Sequence, residues 1–200
     1  MKKIRRQDIL GLAEYEKIRN ESRKRVIDIK KKRRVALGDL VTLLFENRDT
    51  VLSQIQEMIR AEHIEDDGKI LHEIETYNEL IPDAGELSAT LFIEMADPSR
   101  VQRDMDRFQG IDSGESLYLR WGYQKIFGRF ETGRSNEKKL SAVHFIRFPF
   151  FSTGPSGDGE AEAKRLFDQG ELELVSSHPG YPSIAVLSPE LKVELIRDLE

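Results

Sequence analysis

The sequence predicts an α+β fold, a largely antiparallel mixed sheet with helices packed on it and a long N-terminal helix, on three observations. Residues 12–31 keep Tyr15, Ile18, Val26 and Ile29 on one side at helical spacing. The segment ELSATLFIEM, 86–95, alternates with period two: Leu87, Ala89, Leu91, Ile93 and Met95 on one face, Ser88, Thr90, Phe92 and Glu94 on the other. Two later segments, SLYLRWGYQKIFGRFET and LSAVHFIRFPF, are rich in aromatic and β-branched residues and flank the polar loop TGRSNEKK, as antiparallel strands do.

The remaining elements follow in chain order. VALGDLVTLLFE, 35–46, is interrupted by Gly38 and Asp39, which predicts a hairpin or bulged strand leading into a buried strand at 40–46. Asn47 or Asp49 can cap a helix over 50–63. A second helix over about 66–80 places Ile70, Leu71, Ile74, Tyr77 and Ile81 on one side, and Pro82 to Gly85 stop it. DPSRVQRDMDRF is a short helix with Asp97 as N-cap and Pro98 at its first position. After the Gly/Ser/Pro-rich stretch 151–162 come a helix (161–169), a strand (171–176), the loop SSHPGYPS and a closing helix (189–199) with Leu191, Leu195 and Leu199 inward.

With 38% apolar residues in 200, the chain can build a core, and a single domain spanning 1–200 is expected, with a basic helical segment at 1–34 and a flexible loop at 151–162. Charged residues make up 34% and mean hydropathy is −0.50. No apolar run approaches the roughly 20 residues a membrane span needs. The basic start MKKIRRQDILGLAEY lacks the apolar core of a signal peptide, so a cytoplasmic location is expected. There is no cysteine, which excludes disulfides, thiol nucleophiles and cysteine-ligated clusters. The expectation is a chain without a cofactor of its own.

The net charge of −5 is unevenly spread. Residues 1–34 hold 14 Lys/Arg against 5 Asp/Glu, and the rest 17 against 31. The run KKKRR, Lys30 to Arg34, suits a phosphate or nucleic-acid patch, or else a basic helix that docks on an acidic body or presents a solvated face. Docking or a solvated face is the preferred reading, because Tyr15 is the single aromatic in the basic segment and single-strand binders interleave aromatics for stacking. Nucleic-acid binding is therefore not expected.

The Walker A, G-x-G-x-x-G, G-x-S-x-G and H-E-x-x-H patterns are absent. His63 and His72 lie in the acid-rich AEHIEDDGKILHEIE, yet His72 falls on the water side of its helix, and ligands that fail to converge hold no metal. His144 shares a strand face with Ala142, Ile146, Phe148 and Phe150, the setting of a core histidine. His178 belongs to a loop. No metal site is expected.

The sharpest clue is charge on a stripe that must pack. With about 100° per residue, Val51, Leu52, Met58 and Ile59 cluster around Ile55, and Arg48 and Glu62 fall within about 20° of it. Asn78, next to Tyr77, lies about 40° from Ile74 on the second helix. Arg48 and Glu62 are too far apart to pair, so each needs a partner elsewhere, and Glu46, Glu94, Arg120 and Arg147 on the strands are available. Together Glu46, Arg48, Glu62, Tyr77, Asn78, Glu94, Arg120 and Arg147 form either buried ion pairs that tie helices to sheet or a pocket for an anionic ligand.

The phrases RRVALGDLVTLLFENRDTVLSQIQEMIRAE, ETYNELIPDAGELSATLFIE and SAVHFIRFPF, with EYEKIR near the start and HPGY near the end, resemble the bacterial family of domains of unknown function numbered 3501. Glu46, Arg48, Gln54, Glu57, Arg60, Glu62, Tyr77, Asn78 and Glu94 look like its polar signature. The resemblance implies no established activity and a gene neighbourhood shared with a rubrerythrin-like protein and an iron–sulfur oxidoreductase. The leading expectation is thus a cytosolic accessory or binding component of an oxidative-stress electron-transfer system, reached through protein–protein interaction. The alternative is a small-molecule binding protein or enzyme that uses an Arg/Glu pocket for an anionic ligand.

Overall fold

The computed structural model describes residues 1–95, 101–112, 115–131, 141–150 and 170–199. A single 3₁₀ turn at Arg6–Asp8 leads into helix α1 (Leu12–Arg33), which runs into the hairpin β1 (Arg34–Leu37) and β2 (Val41–Glu46). Gly38 makes the turn at φ 71°, where a side chain would be strained. Helix α2 (Arg48–Ala61) starts at Asn47, whose side chain accepts the Thr50 backbone N–H, while Thr50 Oγ1 accepts that of Asn47. Helix α3 (Asp67–Asn78) is capped by Asp66. Strand β3 (Glu86–Ile93) and helix α4 (Val101–Asp106) follow, then β4 (Leu117–Trp121), β5 (Gln124–Phe127), β6 (Arg129–Phe130) and β7 (Val143–Pro149). Strands β8 (Glu173–Ser176) and β9 (Ser183–Val186) and helix α5 (Pro189–Leu199) complete the described chain.

The fold is α+β with a long N-terminal helix and antiparallel strands, as expected, and the strands divide into two sheets, in the orders β1-β2-β3-β7-β6 and β5-β4-β8-β9, with every pairing among the described residues antiparallel. The physical reason lies at Gly128. Phe127 pairs in one sheet and Arg129 in the other, so the chain changes sheets at this residue. Its N–H donates to the Leu117 carbonyl, and a Cβ there would come within 2.8 Å of Ile146 Cγ2. Strand β9, which begins at the last residue of SSHPGYPS, is not foreseen by the sequence, because SIAV is too short to reveal a period. The Asp97 and Pro98 cap, the loop TGRSNEKK, the flexible stretch 151–162 and the helix 161–169 lie outside the described residues.

The first sheet is covered on both faces, and β2 is buried at every position. On one side Leu43, Phe45, Leu91 and Phe148 meet Leu117, Leu119 and Leu174 of the second sheet, with Leu191, Leu195 and Leu199 of α5 closing this core. On the other side Val51, Ile55 and Ile59 of α2 and Ile70 and Ile74 of α3 form a second cluster that also takes Ile4, Ile9 and Phe145.

The basic front docks on the acidic body. Lys3 pairs with Asp83 (2.9 Å), Arg6 with Asp67 (2.8 Å), Arg19 with Glu57 (2.8 Å) and Arg25 with Asp49 (3.4 Å). At the end of α1 the wholly buried Arg33 pairs with Asp198 of α5 and donates to the carbonyls of Phe45 and Glu46. These contacts hold α1, whose buried residues are Tyr15 and Arg33 alone, while Ile18 and Ile27 remain exposed. No helix among the described residues is long and apolar enough to cross a membrane.

Candidate functional site

Cross-strand register brings four polar residues into one row on the helix-facing side of the first sheet. Glu46 stands opposite Ser88, Ser88 opposite Arg147, and Arg147 opposite Arg129. Directly opposed residues project to the same face, so the row crosses β2, β3, β7 and β6.

The two ends of the row differ in character. Glu46 is sealed in packing, and its carboxylate accepts Thr50 Oγ1 at 2.5 Å and Thr90 Oγ1 at 2.6 Å. The other end opens into a groove of about 230 Å³ that includes Ser88, Arg129 and Arg147. Arg147 is anchored there by an ion pair with Glu86, a longer one with Asp83 (3.5 Å) and donation to the Glu79 carbonyl. Among the described residues Arg129 has no acidic partner, and the Ser88 hydroxyl, though the residue is only 2% exposed, has no hydrogen-bond partner. Two guanidinium groups directly opposite one another repel unless something anionic lies between or beside them.

Of the sequence-predicted residues, the structure gathers Glu46, Asn78 and Arg147 around this region. The Asn78 side chain accepts the Ile4 N–H (2.8 Å) and donates to the Ile4 carbonyl (2.9 Å), which pins the N-terminal segment to the end of α3. Lys3 adds bonds to the carbonyls of Asn78 and Ile81. Tyr77 is half-buried against the helical core.

The others lie elsewhere. Arg48 is half-buried and engaged outside its helix, as the stripe predicts, through an ion pair with Asp8 at 2.8 Å. Glu62 corrects the same reasoning: it is exposed. Helix α2 ends at Ala61, Glu62 is its C-cap, and His63 turns away in the left-handed region at φ 52°, so the extrapolated stripe no longer applies. Glu94 lies just past the end of β3, exposed, and accepts Thr42 Oγ1 at 2.8 Å. Arg120 belongs to the second sheet, opposite Glu173 and paired with it at 2.6 Å. The eight residues therefore do not converge on a single pocket. Alternation and angular position identify faces, and only the strand order tells which faces meet.

Sequence reasoning missed Ser88 and Arg129, since a serine in a strand and an arginine before a loop carry no pattern of their own. It also missed the Arg33–Asp198 pair, whose members are 165 positions apart. Burial holds the Arg33 guanidinium down to about 10, partly offset by Glu194 and Glu46. A third polar group joins α1 to α2. The Arg19 guanidinium grips both carboxylate oxygens of Glu57 (2.8 and 2.9 Å), and Tyr15 OH donates to the same group at 2.8 Å. The Arg19 bond, helped by Tyr15 and opposed by burial, holds the Glu57 carboxyl down to about 2, while burial and then Glu57 push the Tyr15 phenol up to about 12.

The buried histidines have bonded rings. His144 Nε2 bonds the Ser141 carbonyl at 2.8 Å, and the ring meets Phe130 edge-on. His178 Nδ1 accepts the Gly180 N–H, which leaves Nε2 to donate to the Gln109 carbonyl. No cluster of three or more residues positioned to hold a metal occurs among the described residues.

The family model "Protein of unknown function (DUF3501)" matches residues 3–199. The chain belongs to this family. A DUF3501 chain is similar, over its full length, to a crystal structure described as a novel protein of unknown function from Burkholderia pseudomallei K96243. The two are 31% identical, coverage is 100% of both chains and the TM-score is 0.86. No curated protein matches.

Proposed function

We propose that this DUF3501 protein binds a small anion in the groove between β6, β7 and the end of α3. The observation that carries the reading is the opposed pair Arg129 and Arg147 with the unpartnered Ser88 hydroxyl beside them. Glu86 and Asp83 balance Arg147, and Arg129, exposed at the mouth of the groove, has no acidic partner among the described residues.

The same reading accommodates an accessory role beside a rubrerythrin-like protein and an iron–sulfur oxidoreductase in the cytoplasm. A chain without cysteine has no thiol to contribute to electron transfer, which suits a role in binding a ligand or a partner. The exposed basic end of α1, with Lys31, Lys32 and Arg34 outward, supports contact with an acidic partner face.

Calorimetric titration of the full chain with small anions tests the groove. Binding that weakens in Arg129→Gln is expected, and no heat with any anion at millimolar concentration overturns the reading. Co-purification from the native host tests the accessory role, and recovery of the chain without the two expected partners counts against it.

A further inference from the structure

Resting on the reading that the basic end of α1 meets an acidic partner, we infer that this partner is an acidic protein helix. It seats an apolar side chain on Ile27 and sets a carboxylate one turn to either side. Three features of the outer face of α1 select this occupant.

The first is the set of cations left over once the helix has docked. Arg19, Arg25 and Arg33 are paired with Glu57, Asp49 and Asp198 of the body. Arg23, Lys24, Lys30 and Lys31 have no acidic partner among the described residues. Lys30 and Lys31 lie near the end of α1, where the helix dipole favours cations, but Arg23 and Lys24 lie well inside the helix, beyond the reach of that effect.

The second is the place of Ile27, which is 59% exposed. At about 100° per residue it lies opposite the side turned to α2, which carries Ile18, Ser22 and Ile29. The four unpaired cations all fall within about 60° of it. A lone apolar residue on a surface is ordinary, but one ringed by uncompensated charge has the form of an interface anchor with a polar rim.

The third is spacing. Arg23 and Lys24 stand one turn before Ile27 and Lys30 and Lys31 one turn after it, so the two cation pairs are about 10 Å apart along the axis. A partner helix matches them with carboxylates about seven positions apart and an apolar residue between. Glu21 and Asp28, exposed on one flank about 100–120° from Ile27, repel an acidic partner that slides off the row.

The apolar centre separates this occupant from other polyanions. A nucleic-acid backbone gains nothing from an isoleucine, and the one aromatic of α1, Tyr15, is buried and offers no platform for bases. A bilayer needs an apolar stripe, which this face lacks.

The test is binding to the full chain at about 0.15 M salt, read by fluorescence anisotropy with a labelled helical peptide bearing a Glu-x-x-x-Leu-x-x-Glu face. The comparison probes are the same peptide with serine for leucine, the same with glutamine for glutamate, a duplex DNA, and phosphatidylserine vesicles read by sedimentation. The first peptide should bind, and its serine and glutamine versions should bind at least tenfold more weakly. Ile27→Ser, and Lys24→Glu combined with Lys31→Glu, should each lower the affinity about tenfold, with melting curves showing that the variants stay folded. Equal binding of the serine peptide, or an affinity unchanged in Ile27→Ser, overturns the anchored helix and leaves the acidic contact standing. Failure of every peptide overturns both. Tighter binding of the DNA or the vesicles than of the first peptide overturns the assignment to a protein partner.

Discussion

The guanidinium of Arg33, at the end of α1, is wholly buried and paired with the carboxylate of Asp198, one residue before the end of α5. The pair joins two elements 165 positions apart across the edge of the first sheet, where Arg33 also satisfies the last carbonyls of β2. A buried ion pair of this kind adds little net stability over an apolar substitute, yet losing one partner leaves an uncompensated charge.

Asp198→Asn should therefore cost about 3–5 kcal/mol in denaturant unfolding. Glu194→Gln should cost much less, because Glu194 is 3.5 Å away and 24% exposed. Equal effects of the two variants would show that Asp198 is not the principal counter-ion.

The Glu57 network makes the junction of α1 and α2 sensitive to acid. The carboxyl's folded value, about 2, lies below its ordinary value of 4.5, so its contribution is present above pH 4.5 and is lost as the pH falls toward 2. With allowance for partial exposure the amount is about 1–2 kcal/mol. Urea melts between pH 2 and 5 should show this slope in the wild type and a shallower one in Glu57→Gln.

Tyr15 responds at the opposite end of the scale. Its folded value, about 12, exceeds the ordinary 10, so the stabilisation is complete below pH 10 and fades as the pH rises through 12. Ultraviolet titration should show a late-ionising component, to which Tyr181, also pushed up by burial, contributes, and Tyr15→Phe should reduce that component without abolishing it.

The loop before β9 depends on close backbone approach. A Cβ at Gly180 would collide with the Arg107 carbonyl, and the neighbouring Tyr181 OH donates to the Leu37 carbonyl (2.9 Å) and accepts the Leu40 N–H (2.8 Å) at the turn of the first hairpin. Gly180→Ala should cost about 1–3 kcal/mol. Gly11→Ala, where a Cβ meets nothing within 4 Å, should change the melting midpoint far less.

Asn78→Ala removes both bonds to Ile4 and should loosen the first residues while the sheet stays intact. Hydrogen exchange at Ile4 should rise, with the amides of β2 and β3 unchanged.

By itself the sequence determined most of the elements and most of their faces. The alternation in 86–95 places Leu87, Ala89, Leu91 and Ile93 in one core, as found, and the stripe through Val51, Ile55 and Ile59 is the buried side of α2. Both signals are local, because the period of a strand or helix is written in consecutive residues. The stripe misplaced Glu62 for an equally local reason, since the helix stops before it. Tertiary structure alone decided that there are two sheets, that Gly128 is where the chain passes between them, and that Ser88, Arg129 and Arg147 share one row. Those facts depend on which strands become neighbours, a choice made by packing energy summed over the whole core, and no short stretch of residues encodes it.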